Sequence, residues 1–210
     1  MDEVSSGTSE NILNPFRWVR RLYDWVLHWA ETPYGEVALF VLAFAESSFF
    51  PIPPDVLLIA LAISIPAKSF RFAGIALTGS VLGAFLGYYI GWGLYESIGA
   101  GIIQFYDVEA QFLRVGQMYN DNAFSAIAIS GFTPIPYKVF TIAAGVFKVN
   151  LTTLIGASLL GRAGRFFLVG ALIWKFGKPI KSFIDKYFNL LTIVFTVLLV
   201  GGFFVIKYLF

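Results

Sequence analysis

The sequence has no cysteine, a single histidine and only two methionines among its 210 residues. Without thiols there can be no disulfide, no thiolate metal site and no cysteine nucleophile. His28 alone cannot supply a histidine metal site, and it stands among tryptophans where an interfacial side chain is expected. No His or Cys falls in the long apolar runs, and Ser47 and Ser48 have no visible base, so no catalytic residue, cofactor or metal is expected and the chain is not read as an enzyme. Charge is scarce too. Asp, Glu, Lys and Arg make up 13% of residues against 58% hydrophobic ones, a composition that suits a bilayer and would precipitate a soluble domain. The net charge of +2 is small and scattered, which argues against a nucleic-acid partner. The start, MDEVSSGTSEN, lacks the basic head and apolar run of a signal peptide, so internal helices are expected to direct insertion.

What is present is a set of apolar runs of two lengths. Residues 72–94 and 151–174 are long enough to span, the second containing Arg162 and Arg165, and 190–206 is near the lower limit. Four runs are shorter: 34–50, 56–65, 123–132 and 139–147. Half-length helices reach only about the middle of a core of roughly 30 Å. Each pair meets at a proline-rich break, Pro51, Pro53 and Pro54 in the first and Pro134 and Pro136 in the second, where a helix cannot continue. This pattern reads as two re-entrant hairpins, with a full span for 34–50 as the alternative. Before them, Arg17, Arg20, Arg21 and His28 interleave with Trp18, Trp25 and Trp29, as in a helix lying in the headgroup region.

The two halves repeat. PIPPDV (51–56) aligns on PIPYKV (134–139), and SVLG (80–83) resembles SLLG (158–161). One hairpin plus one crossing is an odd number of crossings, so the second copy is expected to be inverted, an architecture found mainly in transporters. The fold class expected is thus an all-α polytopic membrane protein. Its parts are a disordered start and amphipathic helix (1–33), a first repeat (34–95), a connector (96–121), a second repeat (122–175), and a basic loop with a C-terminal transmembrane helix (176–210). The Lys and Arg bias places the N-terminus in the cytoplasm and the connector outside.

Five ionisable residues fall at membrane depth: Glu46, Asp55, Lys138, Arg162 and Arg165. Each costs roughly 2.5–3.5 kcal/mol at a helix centre, so they should face one another or a wet cavity. The repeat makes Asp55 and Lys138 equivalent, and they are expected to meet across the tips, either as a structural salt bridge or as part of a substrate site. Lys138, Arg162 and Arg165, with the N-terminal ends of the half-helices, suit a phosphate-bearing headgroup. The spacing leaves open whether the two arginines diverge, with one snorkelling. Glu46 and Asp55 are the candidate transport and proton-coupling carboxylates, Glu46 the better of the two, and Glu36 reads as interfacial. Gly79, Gly83, Gly87 and Gly91 recur every four residues and form a ridge for close helix packing.

The stretches ESSFFPIPPD (46–55), GAFLGYYIGWGLYESIG (83–99), GFTPIPYKVFTIAAGVF (131–147) and GRAGRFF (161–167) resemble the DedA family, also called the SNARE-associated Golgi protein or VTT-domain family. The resemblance covers roughly 34–175. It implies two opposed re-entrant hairpins and movement of lipids, undecaprenyl phosphate or phospholipids, between leaflets, with dependence on the proton motive force proposed in bacteria. It puts Glu46 and Asp55 at the family's two acidic positions. The second hairpin departs from the pattern, with Thr133 or a neighbour where an Arg is frequent and Lys138 in the place of the next, and Tyr88 stands where an acid is frequent. These departures resemble a YqaA-like branch, in which Arg162 or Arg165 replaces the missing cation. The implied function is a lipid flippase or scramblase of a bacterial inner membrane, its partners lipids and, if coupled, protons; a homodimer is left open. Two alternatives stand beside it, a proton-coupled carrier of a small solute or ion and a non-transporting scaffold.

Overall fold

The computed structural model describes residues 32–177 together with Trp25, His28, Trp29 and Pro179. The expected amphipathic helix, apart from those three residues, and the C-terminal run 190–206 lie outside the described residues. Helices α1 (Gly35–Glu46) and α2 (Asp55–Ser64) are followed by a 3-10 turn, Pro66–Lys68, and the long α3 (Ser69–Leu94). A π turn, Tyr95–Gly99, leads into α4 (Ala100–Phe105), then come α5 (Glu109–Phe132), α6 (Tyr137–Val146) and α7 (Leu151–Phe176). The described residues are all-helical, without a strand. Two helical stretches, Pro66–Phe105 and Leu151–Phe176, are long and apolar enough to cross a membrane.

The breaks follow from backbone chemistry. After α1 the N–H groups of Ser48, Phe49 and Phe50 all converge on the carbonyl of Ala45. Pro51, Pro53 and Pro54 then offer no donor with which to extend the helix. Pro136 does the same before α6. At the start of α7 the Asn150 side chain caps the helix by accepting from Thr152 N at 2.8 Å.

Two apolar clusters organise the helices. The first joins Leu39 and Ala43 of α1, Leu57 and Leu58 of α2, Phe72 and Ala76 near the start of α3, and Phe166 and Ile173 near the end of α7. The second joins Ala84 further along α3, Ala123 and Ile127 of α5, Tyr137 and Ala144 of α6, and Leu154 and Ala157 early in α7. Each cluster thus pairs opposite ends of α3 and α7, so these two helices run antiparallel through the middle of the fold. Helix α1 lies along α3, and α5 along α7.

Close approach depends on the missing side chains. A Cβ at Gly79 or Gly83 would run into the carbonyl oxygens of Phe40 or Phe44 on α1, and one at Gly91 into that of Ile142 on α6. Gly87 abuts Thr141, and Gly145 of α6 abuts the Tyr88 backbone. Small residues here let α1 and α6 both lie almost backbone to backbone against α3.

The connector differs from a plain loop. It holds the π turn, α4 and the first half of α5, which carries Glu109, Arg114 and Asp121 on exposed positions. The apolar run 123–132 is only the second half of one 24-residue helix. At this end Lys148 bonds Glu96 at 2.7 Å, and that hydrogen bond and neighbouring charge hold the exposed ammonium above its ordinary pKa.

Candidate functional site

Both proline breaks and α7 converge on one charged centre. Glu46, the last residue of α1, lies against Arg162, with Nη2 to Oε2 at 2.5 Å. Both are deeply buried, Arg162 only 3% and Glu46 8% exposed, so neither charge is left to solvent. The guanidinium also sits over the Tyr137 ring, 4.1 Å from its centroid, a cation–π contact that further offsets desolvation. Its Nε donor is buried with no partner among the described residues.

Asp55, the first residue of α2, is gripped in a fork by Arg165, Nε to Oδ1 at 2.8 Å and Nη2 to Oδ2 at 3.0 Å. Arg165 Nη1 donates at 2.9 Å to the carbonyl of Thr133, in the second break. One side chain of α7 therefore ties both breaks together. The two arginines are three residues apart and lie on one helix face. Both point into the centre, and neither snorkels.

The expected tip-to-tip pair does not form. Lys138 donates instead to the carbonyl of Phe50 at 3.0 Å. The carboxylate of Asp55 belongs to Arg165 because α7 brings a planar fork within reach of both oxygens, which an ammonium cannot match. Lys138 in turn meets the Phe50 carbonyl just before Pro51, in the first break. Glu36, at the far end of α1, pairs with Arg71 at 2.7 Å on the surface.

A layer of hydroxyls surrounds the ion pairs, and sequence reasoning did not single it out. Ser47 Oγ and Ser80 Oγ are 2.7 Å apart, and Ser47 Oγ lies 3.5 Å from both Glu46 and Arg162. Ser48 donates to the Gly83 carbonyl at 3.0 Å, Thr141 donates to the Ser47 carbonyl at 2.9 Å, and the buried Tyr137 hydroxyl donates to Ser158. One signal was present: Ser80 and Ser158 occupy aligned positions in the two halves. Tyr137 carried no such signal, since only the rotation of α6 places its ring beneath Arg162.

Chemically, the centre is a set of two carboxylates and three cations at the meeting point of two helix breaks, with Glu46 and Arg162 buried and the other three partly buried. Among the described residues, no group of three or more metal-ligating side chains gathers anywhere.

Residues 50–175 match the family model described as the VTT domain. An uncharacterised protein of Haemophilus influenzae is 30% identical over 186 residues, which is 89% of this chain and 96% of the relative. An uncharacterised protein of Histophilus somni is 31% identical over 157 residues, 75% of this chain and 82% of the relative. No solved structure matches the chain.

Proposed function

The chain belongs to the VTT-domain family, that is, the DedA and SNARE-associated family, and from this premise we propose that it moves a phosphate-bearing lipid between leaflets. Family membership and the two long apolar helices make it a membrane protein with a transporter-like role. The observation that carries the finer reading is the charged centre held between two helix breaks. Charges at membrane depth are costly and mark substrate or ion pathways by default. Helices α1 and α2, with 12 and 10 residues, reach about 18 and 15 Å, half of a core of roughly 30 Å. We read each helix–break–helix unit as a re-entrant hairpin and the two halves as an inverted repeat. In this reading the ion pairs close the passage between the breaks. Separation of either pair would open a polar path for a headgroup while the acyl chains stay in lipid. Protonation of Glu46 would release Arg162 and couple the opening to a proton gradient.

The test is reconstitution into liposomes carrying a fluorescent phospholipid in both leaflets, with an impermeant quencher outside and a pH-sensitive dye within. Quenching beyond the outer-leaflet fraction is the expected result. Proton movement without lipid movement would favour the small-solute carrier.

A second reading, the scaffold, is favoured by one specific observation: both carboxylates of the centre already have an arginine partner. Such a centre would lock the breaks together and move nothing, leaving both assays silent.

A further inference from the structure

An apolar groove runs along the outer face of α1 and ends at the first break. Its wall is a stripe along one face of α1, Val37, Ala38, Val41, Leu42 and Ala45, with Tyr34 just before the helix. Trp25 and Trp29 face this stripe, and Phe50 and Leu57 close the groove at the break. Every lining residue is apolar or aromatic, and the groove, open along one side, has a volume of about 600 Å³. From Tyr34 to Ala45 the stripe is about 17 Å long at 1.5 Å per residue. That is close to half of a core of roughly 30 Å, the depth one acyl chain occupies in its leaflet. Volume and length together suit one hydrocarbon chain, and the surface facing the groove is apolar.

Phe50 joins this groove to the charged centre. Its side chain lines the groove, and its carbonyl accepts from the Lys138 ammonium at 3.0 Å. Arg162 and Arg165 are committed to Glu46 and Asp55, so Lys138 is the one cation of the centre without a carboxylate among the described residues. It is half-buried, and among the described residues it makes one hydrogen bond out of three possible. Three cations against two carboxylates leave the centre a single positive charge. A phosphodiester, carrying one negative charge, matches that excess. A phosphomonoester, which approaches two, would leave a net negative charge at membrane depth.

We propose that the α1 groove holds the acyl chain of a monoanionic phosphodiester lipid whose headgroup lies at the break, on Lys138. The lipid is then inverted relative to an ordinary leaflet lipid, its head near mid-depth and its chain running back toward Tyr34. This rests on the lipid-moving reading above and adds to it a chain site, a polarity and a charge class.

The experiment uses the full chain in liposomes of phosphatidylcholine containing photoreactive phosphatidylglycerol, with the reactive carbon either beside the glycerol or at the chain end. Crosslinked peptides are then mapped by mass spectrometry. The glycerol-proximal probe should label Phe49 and Phe50, and the chain-end probe Tyr34 and Val37. Lys138→Gln should lower the phosphatidylglycerol yield by about tenfold, the loss of one charge-assisted contact. Val41→Trp, on a residue 55% exposed and so without a packing role, should block both probes by filling the groove. Photoreactive phosphatidylcholine and phosphatidic acid should label less than phosphatidylglycerol. The reverse order of labelling would mean an ordinary leaflet lipid, and equal yields for all three lipids, untouched by Lys138→Gln, an annular one. Either result overturns the proposal. Crosslinking reads occupancy and not movement. Lipid movement without groove labelling would sink the groove alone, and groove labelling without movement would sink the translocation reading alone.

Discussion

Glu46 illustrates how much a partner changes the meaning of a substitution. Taken alone, Glu46→Gln keeps shape and removes titration. With Arg162 at 2.5 Å and only 3% exposed, the same change strands a buried cation. Cutting a buried pair from one side costs about 3–5 kcal/mol, whereas replacing both partners by neutral groups is often close to neutral. Glu46→Gln and Arg162→Met are each expected to lower the thermal midpoint in detergent clearly, and the double variant to regain most of the loss. Additive losses would show that the two charges are not coupled. A second cycle separates the two candidate partners of Asp55. Asp55→Asn should couple to Arg165→Gln by roughly 1–3 kcal/mol and to Lys138→Gln by less than about 0.5 kcal/mol. The five charged residues were legible from the sequence because apolar surroundings make any charge conspicuous. Their pairing was not, because repeat symmetry equates Asp55 with Lys138 while the rotation of α7 decides which cation arrives.

Among the elements, lengths were read well where hydropathy alone decides them and poorly where it does not. Helices α2, α6 and α7 begin and end within a few residues of the expected runs, whereas α3 matches its run but continues through the π turn into α4. Helix α5 is visible in the sequence only as 123–132, because its first half is polar and an apolar run stops where a helix turns polar. The glycine ridge has consequences that can be measured position by position. Gly83→Ala and Gly91→Ala force a methyl into a neighbouring carbonyl, Phe44 in one case and Ile142 in the other. Overpacking of this kind costs about 1–3 kcal/mol. Gly74 and Gly93 lie on the same helix with nothing within 4 Å of the would-be methyl. There, alanine should be neutral or stabilise by up to about 1 kcal/mol through helix propensity. Intrinsic fluorescence on heating would rank the four variants, and equal behaviour would refute the close approach of α1 and α6 to α3.

At the scale of the whole molecule, the antiparallel course of α3 and α7 sorts the surface charges into two ends. Lys68 and Arg71 at the start of α3 share an end with Lys175 at the close of α7, and Gly170 there packs against Ser69. The opposite end carries Glu96, Asp107, Glu109 and Asp121, with Lys148 already paired to Glu96. Basic residues beside membrane crossings stay in the cytoplasm. The Lys68 end is therefore expected inside and the connector outside. The chain has no native cysteine, so single cysteines can be placed without background. Ser69 is a poor reporter because it is fully buried, whereas Lys68, Gln104, Asp121 and Lys175 are all exposed. With a membrane-impermeant maleimide on intact spheroplasts, Gln104→Cys and Asp121→Cys should react, and Lys68→Cys and Lys175→Cys only after permeabilisation. Reaction of Lys68→Cys and Asp121→Cys from the same side would place both ends of α3 on one face. That would remove the odd number of crossings in the first half, and with it the inverted-repeat reading proposed above. Reaction of all four in reversed order would keep that reading and turn the molecule over. The charged centre would then stand, and the direction in which a proton gradient could act on Glu46 would change sign.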